Sequence, residues 1–513
     1  MPAAPDPIRL EIFKHLFASI ADEMGLVLRK ASYSPNIKER RDFSCAIFNA
    51  PGEMIAQAAH IPVHLGSMPL SVEAVVKKFS SSGGMQPGDA ILLNDPFLGG
   101  THLPDITLVT PVFLPGQTNQ PFGFVASRAH HADVGGMMPG SMPVAQEIYQ
   151  EGIIIPPIKL FARGEINQPV FEFLLANVRT PEERRGDLWA QIACNQRGAQ
   201  RFIELASVYG QVEVTTYMDA LLNYTERMTR NLLRVLPNGT FSFEDALDDD
   251  GIQQGEVPIR VSVTIQDDSA LVDFSGSAPQ QQGSINAVYA ITLSAVYYVF
   301  RCLMGLDVPN NAGCLRPIEV IAPPGTVVNA YRPAAVAGGN VETSQRIVDV
   351  LLGALAQALP ERIPAASQGT MNNLSIGGWD LERNKPFSYY ETIAGGQGAA
   401  PGVNGANAIH THMTNTLNTP IEALEYAYPL LVKRYGLRRG SGGAGQWQGG
   451  EGIHREIQCL VPVKVTLLTD RRRTHPYGLA GGEPGAPGEN SLLRNYVEIK
   501  LQGKGSHELQ AGD

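Results

Sequence analysis

Leu10, Phe13, Phe17, Ile20, Met24, Val27 and Leu28 step by three and four near the start of the chain, with one interval of one. That spacing gathers them on one face and predicts an amphipathic helix. The period then changes. Residues 32–150 hold short apolar runs separated by Gly, Pro and Asn, a loop-rich region in which 90–93, 106–113 and 123–126 read as buried strands. Thr180, Pro181, Glu182 and Glu183 carry helix-start signals, an N-cap, a first-turn proline and early carboxylates. The helical pattern continues through Trp189, Ile192, Phe202, Leu205, Tyr209 and Met218 to about Leu236, where Pro237 stops it. Ile259, Val261, Val263 and Ile265 alternate with polar residues, and Leu271, Asp273 and Phe274 follow, which predicts antiparallel strands. Residues 287–304 read as a buried helix, and 344–359 as another inside a Gly-rich, strand-rich C-terminal part.

These elements predict an α+β chain, mixed and multi-layered, rich in strands and carrying two helical sections. The expected divisions are an N-terminal region 1–235 with the amphipathic helices, a strand-rich middle 236–335, and a Gly-rich mixed part 336–513. No internal repeat or charge block is present.

Composition narrows the class. Of 513 residues, 53 are Gly and 37 Pro, above average yet short of a disordered low-complexity chain, so the protein is globular with many turns. A net charge of −10 argues against a generally basic nucleic-acid-binding surface. Cys45, Cys194, Cys302, Cys314 and Cys459 are odd in number, lack a CxxC spacing, and fit reduced thiols better than a disulfide framework. The charged N-terminal segment has no leader pattern, and the apolar stretch 287–300 is too short for a bilayer. The expectation is a soluble, cytoplasmic protein without a membrane partner.

Histidine brings in chemistry. Seven of the eleven fall in three clusters: His60 with His64, His102 with His130 and His131, and His410 with His412. The segment NDPFLGGTHLPD places His102 and Asp105 three apart in a loop after an apolar strand. SRAHHADVGG then supplies His130, His131 and Asp133, and Asp42 directly precedes a strand-like run. Imidazoles and carboxylates converging from three loops are an ordinary ligand set for Zn, Mn or Fe(II). An open position on such an ion would acidify a bound water or polarise a carbonyl oxygen. The competing reading is that these side chains satisfy turn backbones or one another. His410 and His412 read as two rings on one face of a strand, either a second site or a solvated face. Pro62 between His60 and His64 argues against a regular helix there. A wall of the site and a satisfied core histidine are the two readings for that pair.

Nucleotide signals fall away. Gly440, Gly442 and Gly445 formally match GxGxxG, but no buried strand leads in, and a glycine hairpin loop is the better reading. No GxxxxGK[ST] and no GxSxG occurs, and Cys45 has no neighbouring base in sequence.

At these same residues the chain resembles a known family. NIKERRDFSCAIF, QAAHIPVHLGSM, NDPFLGGTHLPDITLVTPVF, SRAHHADVGGMMPGSMP, EGIIIPPIKL, GGNVETSQRIVD and HTHMTNTLNTPIEALE occur in the order seen in the hydantoinase B/oxoprolinase family, from about Ile8 onward. That family is similar in turn to subunits of the acetone and acetophenone carboxylases. The resemblance implies a hydantoinase A-type partner binding ATP and Mg on an actin-like fold, with the pair opening hydantoin, 5-oxoproline or lactam rings, or carboxylating ketones. It further implies a divalent metal, Zn or Mn and otherwise Fe or Mg, on Asp42, His102, Asp105 and His130, with His131 as the alternative to His130. A heterotetramer of two pairs is the expected assembly.

Three departures accompany the resemblance. The loop 114–121 is a few residues longer than usual, Gln448 stands where relatives carry Arg, and the sequence ends at LQAGD where relatives run into a Gly-rich closing segment. The last is expected to mean a trimmed tail or a lost contact with the partner. The resulting expectation is an ATP-dependent amidohydrolase: the partner phosphorylates the amide oxygen, and water attacks the ring carbon at this chain's metal. Asp133 and His131 are the catalytic candidates, Asp133 to orient a ligand histidine or act as base. The alternatives are a ketone carboxylase, a free-standing metallohydrolase, and a metal-stabilised scaffold that only completes the partner's site.

Overall fold

A computed structural model describes residues 5–58, 60–80, 84–305 and 307–513. Its helices are α1 (Pro7–Ala31), α2 (Pro35–Lys38), α3 (Ser67–Ser80), α4 (Gln168–Ala176), α5 (Pro181–Tyr209), α6 (Gln211–Val235), α7 (Tyr289–Leu303), α8 (Ser344–Ala358) and α9 (Ile421–Ala427). The fold is α+β, with helices layered on several sheets. Seven strands make the largest sheet: β1 (Phe43–Asn49), β2 (Met54–Gln57), β3 (Ala90–Leu93), β4 (Asp105–Val112), β5 (Gly123–His130), β6 (Ile158–Ala162) and β7 (Glu165–Ile166). Their order is β2-β1-β5-β4-β3-β6-β7, and every neighbouring pair is antiparallel.

Both faces of this sheet are covered, which explains its near-continuous apolar strands. Cys45, Ile47, Val125 and Ala129 pack with α1, α5 and α6 on one side. Ala46, Phe48, Val109, Phe124 and Ala126 pack with α3 and Tyr297 on the other. Successive residues of β1 and β5 thus serve opposite cores, as a pleated strand requires.

A second sheet contains β8 (Gly239–Asp249), β9 (Gln254–Gln266), β10 (Ser269–Asp273) and β11 (Ile318–Ile321), in the order β11-β10-β9-β8. Helix α8 lies against β8 and β9. The remaining strands are β12 (Asn373–Asp380), β13 (Lys385–Glu391), β14 (Leu430–Arg438), β15 (Gly452–Cys459), β16 (Val463–Leu468), β17 (Asn490–Arg494), β18 (Val497–Leu501) and β19 (Lys504–Leu509). They form a sheet β13-β12-β16-β19 and two hairpins, β14-β15 and β17-β18. The GxGxxG glycines lie in the connection of the β14-β15 hairpin.

Three expectations are corrected. Residues 67–80 are a helix rather than part of a loop-and-strand region, because Met68, Ser71, Val72, Val75 and Phe79 recur at helical spacing and all are buried. His410 and His412 lie in an irregular segment and not a strand, since His412 adopts a left-handed backbone with φ 57°. The long helical section is also broken, at Gly210 (φ 86°), where α5 ends and α6 begins. Among the described residues no helix is long and apolar enough to cross a membrane.

Candidate metal centre

The site grows from one row across three strands. Asp105 opens β4 and stands directly opposite His130, the last residue of β5. On the other side of β5, the His130 N–H donates to the Asp42 carbonyl at 3.0 Å, which carries the pairing one residue beyond β1. His102 enters from the tight turn before β4, where its own carbonyl accepts the Asp105 N–H at 3.1 Å. Four of the residues expected at the site are therefore neighbours because of sheet register.

Asp105 Oδ1 lies 3.3 Å from His102 Nε2 and 3.4 Å from His130 Nδ1, and the ligand atoms of the three side chains fall within 4.8 Å of one another. Two ligands each about 2.1 Å from a tetrahedral ion would be about 3.4 Å apart, so the set has the dimensions of a divalent-cation site. All three are buried. His102 Nδ1 and His130 Nε2 have no hydrogen-bond partner among the described residues. Asp42 Oδ2 stands 4.0 Å from His130 Nδ1, at the edge of the group.

Electrostatics suit a cation. Burial alone would push the Asp105 carboxyl up, but the charges of His102 and His64 and hydrogen bonds from His102 and His130 hold it well below the carboxylate range. Burial lowers His130, which favours the neutral form of the ring that a metal requires. Asp42 moves the other way, raised by burial against the opposing charges of His130 and Arg40.

A supporting layer orients the ligands. Asp105 Oδ2 accepts from Thr101 Oγ1 and faces His64 Nε2 at 3.2 Å, while His64 Nδ1 meets Ser44 Oγ at 2.9 Å. The His130 ring stacks on Tyr390, with centroids 4.4 Å apart and planes 9° apart. The Tyr390 hydroxyl donates to Asn373 Oδ1 at 2.7 Å, and the Arg40 guanidinium sits 5.2 Å over its ring. Asn340 Nδ2 lies 3.1 Å from His102 Nε2.

The other two candidates lie outside this group of ligand atoms. His131 follows His130 and points to the opposite face, where Nε2 meets Gln191 Oε1 of α5 at 2.9 Å. Burial, then the Arg184 charge, pushes that ring down to about 4. The Asp133 carboxylate is taken up by Arg179 at 2.9 Å and by the Gly135 and Arg179 N–H groups, so its partners are not ligand histidines. Sequence reasoning passed over Asn340 and Tyr390 entirely. Asn340 sits in the GGNVETSQ string, whose paired glycines were the available signal of close backbone packing. Two surface grooves, of about 390 and 270 Å³, lie elsewhere and are lined by none of the three ligand residues.

Comparison with known proteins agrees with this geometry. A protein of Methanocaldococcus jannaschii without an assigned activity is 42% identical over 510 residues, covering 99% of this chain and 88% of that protein. The 5-oxoprolinase 1 of Arabidopsis thaliana is 40% identical across 99% of this chain, which spans only 41% of the plant protein's length. Among solved structures, the ATP-dependent caprolactamase of Pseudomonas jessenii superposes with a TM-score of 0.92 at 32% identity, covering 99% of this chain and 89% of that one. A nucleotide-free acetone carboxylase shares the fold, with a TM-score of 0.86 at 20% identity over 94% of this chain and 66% of its own. The family profile described as hydantoinase B/oxoprolinase matches residues 6–513. The chain belongs to the hydantoinase B/oxoprolinase family.

Proposed function

We propose that this chain is the metal-binding component of an ATP-dependent cyclic-amide hydrolase, working with a hydantoinase A-type subunit that binds ATP. The observation that carries the reading is the buried His102, Asp105 and His130 set, in a chain whose relatives include a 5-oxoprolinase and a caprolactamase. In this reading Asp42 is the fourth donor, and two such pairs form a heterotetramer. A divalent ion held there, Zn or Mn before Fe or Mg, would supply Lewis acidity toward a carbonyl oxygen and lower the pKa of water.

The chain's own residues do the rest. Asp105 gives the site its negative charge, and His64 and Thr101 keep that carboxylate turned toward the two imidazoles. Tyr390 fixes the plane of His130 by stacking. Burial of the whole row keeps bulk water away from the reacting amide, which strengthens each polar contact made there.

The test is ring opening of hydantoin, 5-oxoproline and caprolactam by this chain assembled with an ATP-binding partner. Wild type is expected to bind close to one metal ion per chain and to open one of these rings only with ATP. His102→Ala and Asp105→Asn are expected to lose the ion and at least about 100-fold in turnover. Near wild-type turnover in either variant would remove that residue from the site. Labelled bicarbonate appearing in the product, in place of oxygen from labelled water, would overturn hydrolysis in favour of carboxylation.

A further inference from the structure

We propose that the mouth of the metal row beside Asp42 is a phosphate-binding subsite, built on Arg41 and His60, that receives the phosphoryl group of the activated amide. The inference rests on the cyclic-amide reading above, in which the ring arrives with its oxygen phosphorylated, and names the group that this chain grips. Exposure sets the way in. The side chains of His102, Asp105 and His130 are 0%, 1% and 3% exposed, whereas that of Asp42 is 10% exposed. A ligand reaching the row therefore passes Asp42 first.

Arg41 stands at that opening. It is exposed, and its guanidinium has no hydrogen-bond or ion-pair partner among the described residues. The adjacent Arg40 is the opposite case, buried and donating to Asn36 Oδ1, the Tyr390 carbonyl and Thr392 Oγ1. Arg41 also holds a left-handed backbone, with φ 58°, and its carbonyl accepts the Phe43 N–H at 2.9 Å. A non-glycine residue in that conformation is uncommon, and such positions cluster at ligand clamps. Around it, residues 29–41 carry Arg29, Lys30, Lys38, Arg40 and Arg41 against Glu39 alone, in a chain of net charge −10. A positive mouth on an acidic protein concentrates anions locally.

His60 supplies an independent observation. Its ring meets Phe43 edge-on with centroids 4.7 Å apart, and it packs so closely on Gly25 of α1 that a Cβ there would stand 2.5 Å from Cε1. Its carbonyl accepts Asn415 Nδ2 at 2.9 Å, which fixes the residue from the other side. Burial, then the charges of His64 and Arg41, pushes the ring down to about 4, so it is neutral. Its Nδ1 is buried with no partner among the described residues. A buried ring nitrogen left unpaired is costly and points to a partner that arrives with the ligand.

The chemistry follows from these groups. A phosphoryl head is an anion whose oxygens accept hydrogen bonds. A guanidinium offers paired N–H donors in a planar fork that matches two phosphate oxygens, and a neutral imidazole adds one N–H. The carboxylates of Asp42 and Asp105 repel such a head, which keeps it at the mouth while the uncharged ring goes in.

The experiment titrates inorganic phosphate into the metal-loaded full chain by isothermal calorimetry. Wild type is expected to bind it, Arg41→Gly at least about 10-fold more weakly, Arg41→Lys between the two, and His60→Leu at least about threefold more weakly than wild type. Glycine accepts φ 58° without strain, so Arg41→Gly keeps the fold. His102→Ala, freed of its ion, should bind phosphate as wild type does. In the assembled complex, Arg41→Gly should consume at least about fivefold more ATP per ring opened, because the phosphorylated amide escapes before its ring opens. Equal affinity in wild type and Arg41→Gly would overturn the proposal. So would loss of phosphate binding in His102→Ala, which would put the anion on the ion. Weaker phosphate binding at an unchanged ATP cost per ring would assign the subsite to released phosphate and overturn its role toward the activated amide. A wild-type complex that opens no ring would overturn the cyclic-amide reading and the origin given to the phosphate, while the calorimetry still decides the subsite.

Discussion

Glu151 is a carboxyl that meets no cation among the described residues. It is fully buried, Oε1 accepts two backbone N–H groups, and Oε2 has no partner among the described residues. Burial outweighs those two hydrogen bonds and pushes its pKa up to about 8. The folded state thus keeps a proton that the unfolded chain releases near the ordinary value of about 4.4, so this residue's contribution is complete below that pH and is lost as pH rises toward 8. Glu342 and Asp349, raised to about 7 and about 8 with burial the largest cause, slope the same way. Glutamine reproduces the protonated form, with its oxygen on the two N–H groups. Glu151→Gln is expected to match wild type within about 1 kcal/mol near pH 5 and to exceed it by a few kcal/mol at pH 9, measured by urea denaturation at each pH. At this scale the sequence was legible where chemistry is local. His102 and Asp105 sit three apart beside an apolar strand, and that spacing survives folding. The choice between His130 and His131 was not legible, because it depends on which residue at the end of β5 falls opposite Asp105 in the ladder with β4. The contact of His64 with Asp105 spans 41 residues and left no mark in the local pattern.

The π-helical turn at Gly339–Thr343 links residue and element. It presents Asn340 to one imidazole and, through Glu342, Asn373 and Tyr390, braces the other. Gly339→Ala would drive a Cβ into the Asn286 carbonyl at 1.9 Å and force the turn outward. A cost of about 2–4 kcal/mol is expected, seen as a lower urea midpoint at unchanged slope, together with weaker metal retention against a chelator. Elements with strong periods were readable: α1 from its apolar steps, β9 from strict alternation, and the helix at residues 289–303 from an uninterrupted apolar run. Helix α3 was hidden among glycines and prolines, although its buried positions keep helical spacing. The segment around His410 and His412 alternates like a strand yet pairs through an isolated bridge, Ile409 with Gly395, and the left-handed His412 bends it away.

At the scale of the molecule, one core ties together residues that the sequence assigned to three regions. Ile61 and Leu108 of the first, Val263 and Phe300 of the second, and Leu351 and Leu468 of the third belong to a single buried cluster. Segment 236–335 expressed alone would leave β8 and β9 without α8, which covers them. It is therefore expected to show no cooperative thermal transition by calorimetry, whereas the whole chain does. Sheet order was only partly legible from sequence: β4 and β5 are consecutive and pair directly, but β1 reaches β5 past β2, β3 and β4, a crossover longer than any local pattern. That order is what assembles the ligand row. Its depth carries a consequence of timing. With His102, Asp105 and His130 almost wholly shielded, an ion seated there leaves only when surrounding strands part, an event as infrequent as the opening of a stable sheet. If the site is filled as proposed, the ion found there is expected to record the supply available while the chain folded, and dialysis against a tighter-binding competitor for an hour is expected to leave that record intact.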